Sequence, residues 1–383
     1  MKTFLGFLLV TAVTHGADFG PARDVSKRAT ELYNQARYAE AEPLFREAVT
    51  AWEKLGPAAA LAHAIDLRNL GAVLRVTGRY SEAEPLLTDA LRELEGAGAP
   101  ALECGRAAYN LAALYRSQGD LARAESFALR ASAMVEHDAG LSTPERLAPR
   151  LVLSSIYIWQ RRLAEAEAIL EPALAGADGP LSVAAYNNLA NIAIVRGEFE
   201  KAESLARQAL YFARLSLPKD HPGIAASWNN LAQACSGQGR WLEAENAYRQ
   251  ALAVWERSLG PSHPDVATSL VNLAAFFHER GRESGAEQLY VRAIAILERA
   301  FGNGDPRALS ARNDLADVLR GERRFSESAR IGRATLAALE KSLPPEDPRL
   351  AKARANHARL MQETAIAEHP CRRSASCQAQ AAQ

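Results

Sequence analysis

Two histidines, His221 and His263, each precede a proline and are the first residues whose recurrence could indicate chemistry. Histidine titrates near neutral pH, so a recurring one could act as a general base or a metal ligand. Asp305 and Asp347 take the same position in the following repeats, again before proline. Aspartate is a favoured N-cap and proline a favoured first helical residue. The alternation therefore predicts that these histidines begin helices and do not catalyse a reaction.

Pairs of glutamates could act as general acid and general base, as they do in glycosidases. The pairs are Glu40 and Glu42, Glu82 and Glu84, and Glu165 and Glu167. They recur beside a regularly spaced alanine, which predicts solvated acids in the first turn of a helix, favoured by the helix dipole. Glycine stretches at residues 96–98 and 302–304 lack the lysine of a phosphate-binding loop. The sequence thus predicts no catalytic residue, no metal site and no cofactor.

A leucine followed by a small residue recurs seven times along the chain. The leucines are Leu70, Leu111, Leu153, Leu189, Leu231, Leu273 and Leu315, and the successive spacings are 41, 42, 36, 42, 42 and 42 residues. A period of this length indicates a stack of supersecondary units. The elements that position any functional residue are therefore repeats.

One repeat, residues 226–259, shows the unit in detail. Trp228, Leu231 and Cys235 recur at helical spacing, Gly239 ends that helix, and Trp241 begins a second one. Small residues hold two positions in every second helix. The first position has Ala41, Ala83, Ala124, Ala166, Ala202, Ala244, Ala286 and Ser328; the second runs from Ala48 through Ala251 and Ala293 to Thr335. The predicted fold is all-α, a right-handed α-solenoid of stacked antiparallel helical hairpins.

These motifs resemble the tetratricopeptide repeat, and the 42-residue period with the connector at residues 259–265 resembles the kinesin light chain subclass. The resemblance covers about residues 22–343 as eight hairpins, followed by a capping helix near residues 348–366. Three positions depart from the pattern: Arg28 replaces a leucine, Arg161 a turn glycine and Glu283 an aromatic residue.

Composition narrows the classes of partner. Lys and Arg total 45, as do Asp and Glu, so the broad positive field of nucleic-acid binders is missing and a nucleic-acid partner is not expected. One elongated solenoid, residues 18–368, accounts for most of the chain. Of the cysteines, Cys235 is expected in the core and Cys104 just before a helix.

The two ends of the chain differ from the repeats. Residues 1–17 contain a lysine, an apolar run and small residues, which predicts a secretory signal with cleavage after Gly16 or Ala17 and export to a periplasmic or extracellular space. The run is too short for a stable membrane anchor. A leader on a cytoplasmic protein is the alternative. Residues 369–383 are expected to be a disordered tail, in which Cys371 and Cys377 either pair or stay free.

The resemblance implies that the first helices line a concave groove and that an asparagine immediately before the Leu-small pair contacts the backbone of a ligand. Five of the seven pairs have an asparagine there, and the other two have Val152 and Asp314. Alternatively, these asparagines tie neighbouring helices together. The candidate groove residues are Asn69, Asn110, Asn188, Asn191, Asn230, Gln233, Asn272, Arg68, Arg106 and Arg116. The early arginines favour a peptide whose acidic segment faces the early repeats.

The predicted function is a non-enzymatic scaffold that binds a peptide or protein segment in this groove. The alternative is a cytosolic regulatory or sensor subunit, with the leader misinterpreted as a signal. The identity of the partner and the oligomeric state do not follow from the residues.

Overall fold

The computed structural model describes residues 19–136, 140–176, 179–343, 345 and 347–368. The predicted signal at residues 1–17 and the tail at residues 369–383, with Cys371 and Cys377, lie outside the described residues. Throughout the described part, every regular element is helical: seventeen α-helices and one short 3₁₀ helix.

The chain forms two compact units, residues 1–261 and 262–383. The first unit contains six helical hairpins. Its helices are α1 (Gly20–Asn34), α2 (Tyr38–Leu55), α3 (Ala60–Val76), α4 (Tyr80–Gly96), α5 (Ala101–Gln118), α6 (Leu121–Glu136), α7 (Thr143–Trp159), α8 (Leu163–Gly176), α9 (Gly179–Arg196), α10 (Phe199–Ser216), α11 (Pro222–Gly237) and α12 (Trp241–Leu259), with the 3₁₀ helix at Gly56–Ala59.

The second unit contains two further hairpins and a last helix. Its helices are α13 (Pro264–Glu279), α14 (Glu283–Phe301), α15 (Pro306–Gly321), α16 (Phe325–Ser342) and α17 (Pro348–Glu368). Within each unit, consecutive helices pack against each other, and each odd-numbered helix also contacts the next odd-numbered one. The predicted fold class, an α-solenoid of stacked helical hairpins, is confirmed.

The turn inside each hairpin depends on one residue with a positive φ. Five hairpins use a glycine there: Gly78, Gly119, Gly197, Gly239 and Gly281. The other three use Ala36, Arg161 and Arg323, with φ of 59°, 62° and 63°. A residue with a Cβ is strained in this region. Arg161, which replaces a turn glycine, nevertheless adopts the same left-handed conformation. We attribute this to the packing of the two helices that the turn connects.

Small residues let the two helices of a hairpin approach closely, as the sequence predicts. Seven of the alanines at the first small position are completely buried, and the eighth residue, Ser328, donates a hydrogen bond to the Ala316 carbonyl at 2.6 Å. A larger side chain at any of these positions would have to displace the neighbouring helix. The register deduced from the repeat is confirmed.

The residues before the recurring prolines are N-caps. The side chains of His221, His263, Asp305 and Asp347 each accept a hydrogen bond from the backbone N–H two residues later, at 3.0, 3.1, 2.9 and 2.8 Å respectively. The prediction that these histidines begin helices is confirmed. Each cap satisfies one of the backbone donors that the start of a helix leaves without an internal partner.

One of the cysteine predictions is wrong. Cys235 is buried in α11, as expected, but Cys104 lies inside α5 and not before it. The helix begins at Ala101 because Pro100, which precedes it, has an extended backbone that initiates the first turn. Cys104 is therefore a buried helical residue, like Cys235.

Candidate functional site

A cavity of about 930 Å³ lies within the first unit. Most of the residues that line it belong to α1, α3, α5, α7 and α9. Single residues of α2 and α6, the end of α10 and the connector from α10 to His221 complete the lining. These odd-numbered helices are the first helices of their hairpins, so the cavity lies on the side of the unit where the sequence predicts a groove. Pockets that bind ligands commonly have volumes of about 300–1,000 Å³. We call this space the first-unit cavity.

The structure brings six of the ten candidate residues together in this cavity: Arg68, Asn69, Arg106, Asn110, Arg116 and Asn188. Asn191, Asn230 and Gln233 belong to the same unit but are not among the residues that line the cavity. Asn272 lies on α13 in the second unit. The candidate residues thus do not form one continuous row along a single cavity.

Two of the asparagines tie neighbouring first helices together. Asn188 on α9 donates to the Leu151 carbonyl at 3.0 Å and to the Ser154 hydroxyl at 2.8 Å, both on α7. Asn230 on α11 is buried and donates to the backbone oxygen of Asn187 on α9 at 3.1 Å. Both ties use the amide nitrogen. For these two residues, the structure shows the helix-tying role that the sequence left open.

Arg68 and Arg106 are ion-paired through one buried carboxylate. Glu103 is 1% exposed and accepts hydrogen bonds from Arg68 and, at 2.8 Å, from Arg106. Arg106 also lies 3.3 Å from Glu145, whose second carboxylate oxygen accepts hydrogen bonds from the Ser142 N-cap of α7. Burial lowers the pKa of Arg106, while the two glutamates act in the opposite direction. The charges of these two arginines are therefore already paired within the protein.

The network continues away from Arg68 to a buried acid. Asn69 accepts from Arg68 at 3.0 Å and donates to Asp66 at 3.2 Å. Asp66 also accepts from Trp52 at 2.7 Å and from Ser26 at 2.8 Å. Burial raises the pKa of Asp66, and the three hydrogen bonds oppose that rise. Asn69 is thus a buried link between the two charges on α3.

Aromatic and apolar side chains complete the cavity wall. Tyr33 and Tyr38 meet edge to face, with ring centroids 5.3 Å apart, and Tyr109 lies near them. The far part of the wall is apolar, with Val152, Leu181, Leu215, Leu217 and Pro218. None of these residues is among the groove candidates predicted from the sequence. Tyr109 directly precedes Asn110, so its position next to a predicted groove residue was a usable signal.

His221 also lines the cavity, in addition to capping α11. Burial lowers its pKa to about 4. Its Nδ1 accepts the capping hydrogen bond, which requires that nitrogen to be unprotonated. His221 therefore contributes a neutral imidazole at physiological pH.

The paired glutamates are ion-paired rather than merely solvated. In each pair the first glutamate accepts from the arginine just before its helix, for example Glu82 from Arg79 at 2.7 Å. The second accepts from an arginine of the following hairpin, for example Glu42 from Arg79 at 2.5 Å. Hydrogen bonds from these arginines lower the pKa of Glu40, Glu82 and Glu165. Such ionised carboxylates are poor general acids.

The second unit has a charged cluster around His278. Its Nδ1 lies 2.6 Å from Glu283 and its Nε2 lies 3.5 Å from Asp317, which Arg320 contacts at 2.7 Å. Hydrogen bonds to Asp317 and Glu283 raise the pKa of His278 to about 9. Glu283 occupies the position where the repeat pattern has an aromatic residue. Its carboxylate packs against Gly321, and a Cβ atom at position 321 would lie only 2.6 Å from it.

In the part of the chain that the structure describes, no group of three or more His, Cys, Asp or Glu side chains is arranged to hold a metal ion. No helix there is long and apolar enough to cross a membrane.

Solved structures with the same arrangement of helices are known. A Rap protein complexed with Competence and Sporulation Factor is 16% identical, with a TM-score of 0.58 over 91% of this chain and 99% of its own. The apo form of the quorum sensor NprR from B. thuringiensis is 14% identical, with a TM-score of 0.59 over 85% of this chain and 89% of its own. A lower-scoring match is a Podosopora anserina protein described as a kinesin light chain with nearly identical TPR-like repeats; it is 23% identical, with a TM-score of 0.42 over 48% of this chain and 87% of its own.

A sequence-family model settles the family. No curated protein sequence matches this chain significantly. The model of the tetratricopeptide repeat, however, matches residues 25–95, 63–137, 181–257, 223–299 and 265–341, which together span well over half of the chain. The chain therefore belongs to the tetratricopeptide repeat family.

Proposed function

We propose that this chain is a non-enzymatic scaffold that binds an extended peptide segment of a protein partner in the first-unit cavity. The observation that carries the proposal is the convergence of six predicted groove residues, from three different helices, on one cavity of about 930 Å³. A Rap protein with a similar fold forms a complex with Competence and Sporulation Factor, and NprR is a quorum sensor, which supports a role in partner recognition.

The polar groups of the cavity suit a peptide backbone. The amide oxygen of Asn188 is an acceptor that its two helix ties do not use, and the half-buried amide of Asn110 both donates and accepts. An extended peptide presents N–H and C=O groups in regular succession, so a few fixed amides can orient it without discriminating between side chains. The apolar wall would then bury the side chains of the bound segment.

The absence of an enzymatic role is part of the proposal. The histidines with recurrent prolines cap helices, and the paired glutamates are held ionised by arginines. Both kinds of residue that the repeat offers for acid–base chemistry thus have a structural task. The tetratricopeptide repeat is typically an interaction scaffold, and the fold leaves function to the site.

The test is affinity capture from the native host with the full chain and one cavity-filling variant. Ala184 lines the cavity on α9 and is half-buried, so Ala184→Trp places an indole in the space where the peptide would lie. The matched control is Leu129→Trp on α6, which adds an indole at an exposed position outside the cavity lining.

We expect the wild type and Leu129→Trp to retain the same partner and Ala184→Trp to lose it, while all three unfold at similar temperatures in circular dichroism. A partner that Ala184→Trp retains would place binding elsewhere on the molecule and contradict the proposal.

We also propose that the chain is exported, on the basis of residues 1–17. The alternative is a cytosolic regulatory or sensor subunit with the same binding site. Intact-mass measurement on protein from the native host separates the two. Cleavage after Gly16 or Ala17 supports export, and a mass that includes residues 1–17 supports the cytosolic alternative.

A further inference from the structure

Two arginines of the first-unit cavity are paired with a carboxylate that lies behind the cavity wall. Arg68 and Arg106 line the cavity, while Glu103, which accepts from both, is almost completely buried and does not line it. Glu145 lines the cavity and pairs with Arg106 from the other side. Two of the three arginines that line the cavity are thus matched by two carboxylates within hydrogen-bonding distance, and the third, Arg116, donates a hydrogen bond to the Ser155 hydroxyl at 3.0 Å.

This pairing determines how much net charge the cavity offers to a bound ligand. A carboxylate that enters the cavity must lose its water, which is costly unless a charge on the protein replaces the hydration. Arg68 and Arg106 already direct their hydrogen bonds to Glu103, so they offer a ligand little net positive charge. Glu145, with 25% of its side chain exposed, would repel an acidic ligand directly.

The rest of the wall favours uncharged side chains. Tyr33, Tyr38 and Tyr109 present aromatic rings, and Val152, Leu181 and Leu217 present aliphatic surface. Burying aliphatic or aromatic side chains of a peptide against these groups is favourable in proportion to the apolar area removed from water.

We propose that Glu103 determines the charge specificity of the cavity: by compensating Arg68 and Arg106, it makes the cavity select apolar or aromatic peptide segments and reject acidic ones. The inference rests on the proposed function, since it concerns the ligand of that site. It replaces the acidic segment expected from the arginines alone.

The test uses a phage-displayed library of random linear heptapeptides as the probe. The library is panned in parallel on the full-length wild type, Glu103→Gln, Arg106→Met and the control Glu165→Gln. Glu165 is an exposed acid on α8 outside the cavity lining, so its loss changes the net charge of the chain equally without touching the site. Clones count as cavity binders when they no longer bind Ala184→Trp.

The two cavity variants should shift the selection in opposite directions. Wild type and Glu165→Gln should select aromatic and leucine-rich peptides depleted in Asp and Glu. Glu103→Gln leaves the arginines undercompensated, so it should enrich acidic peptides and bind a selected one about tenfold more tightly than the wild type does. Arg106→Met leaves Glu103 and Glu145 in excess and should enrich Lys and Arg.

The inference is overturned if the wild type itself selects acidic peptides, or if the folded variants select the same compositions as the wild type. If Glu103→Gln does not fold, the shift towards basic peptides on Arg106→Met tests the inference by itself, because Arg106 lines the cavity. If no selected clone depends on the cavity, the proposed function fails and this inference fails with it.

Discussion

The side-chain amide of Asn230 donates a hydrogen bond to the backbone oxygen of Asn187 at 3.1 Å and thereby ties α11 to α9. Asn188 makes the equivalent contact one hairpin earlier, to the Leu151 carbonyl on α7. The asparagine before the Leu-small pair thus joins successive first helices in both cases. Of these two asparagines, Asn188 also lines the first-unit cavity and Asn230 does not.

Asn230→Ala should lower the free energy of unfolding by about 1–2 kcal/mol, because it removes a buried hydrogen bond and leaves the Asn187 carbonyl without this donor. Urea denaturation followed by circular dichroism measures the change. Gln233→Ala, at a half-buried position on the same helix, is the control and should change stability by only about 0.5 kcal/mol. Equal stability of the two variants would show that the tie contributes nothing.

Ala244→Leu should destabilise the first unit by about 1–3 kcal/mol, because Ala244 is completely buried where α12 meets α11 and extra methyl groups have no space. Thermal unfolding provides the measurement. The control Gln250→Leu adds the same side chain at an exposed position of α12 and should leave the melting temperature nearly unchanged. An unchanged melting temperature in Ala244→Leu would contradict the register.

His221→Asn should remove part of the pH dependence of stability. Burial lowers the pKa of His221 from 6.5 to about 4, so the folded state binds fewer protons than the unfolded state between these values. Its contribution is complete above pH 6.5 and is lost as the pH falls to 4, with a slope of up to about 1.4 kcal/mol per pH unit. Asparagine also caps helices but does not titrate.

Unfolding free energies at several pH values between 4 and 7 test this prediction. The curve for His221→Asn should be flatter than that for the wild type, with similar stability at pH 7. Parallel curves would mean that His221 does not titrate differently in the folded protein.

Asp317→Asn should bring the pKa of His278 down from about 9 towards 6.5, because the hydrogen bond to Asp317 is the largest cause of the rise. Burial by itself would raise the pKa of Asp317, but hydrogen bonds from His278 and Arg320 outweigh it and lower that pKa. The raised pKa of His278 means that its stabilising contribution is present below pH 6.5 and is lost as the pH rises through 9.

An NMR titration of the His278 ring measures this pKa directly. Glu363→Gln, which removes the 2.9 Å contact to Arg320 but no partner of His278, is the control. A wild-type pKa near 6.5 would contradict the pairing seen in the second unit.

The repeat period explains why so much of the fold could be predicted from the sequence. The packing alanines, the helix-capping residues and the turn residues recur at equivalent positions of successive repeats, so each copy supports the assignment of the others. The residues that depart from the pattern were harder to interpret. Arg161 keeps a left-handed turn although no local preference favours it, because the two helices it joins fix the backbone.

The site was only partly predictable, because it depends on contacts between residues of different repeats. Arg68 and Glu103 are 35 positions apart, and their pairing follows from how α5 rotates onto α3. A sequence pattern places both on first helices but does not say which side of the helix faces the cavity. The burial of Arg68 and the helix tie made by Asn188 therefore required the structure.

The most direct measurement of the central claim is hydrogen-exchange mass spectrometry of the full chain, with and without a synthetic peptide from the captured partner. We predict slower exchange in α3, α5, α7 and α9, whose residues line the first-unit cavity, and unchanged exchange in α14 and α16 of the second unit. Slower exchange confined to the second unit, or to the even-numbered helices of the first, would contradict binding in the cavity.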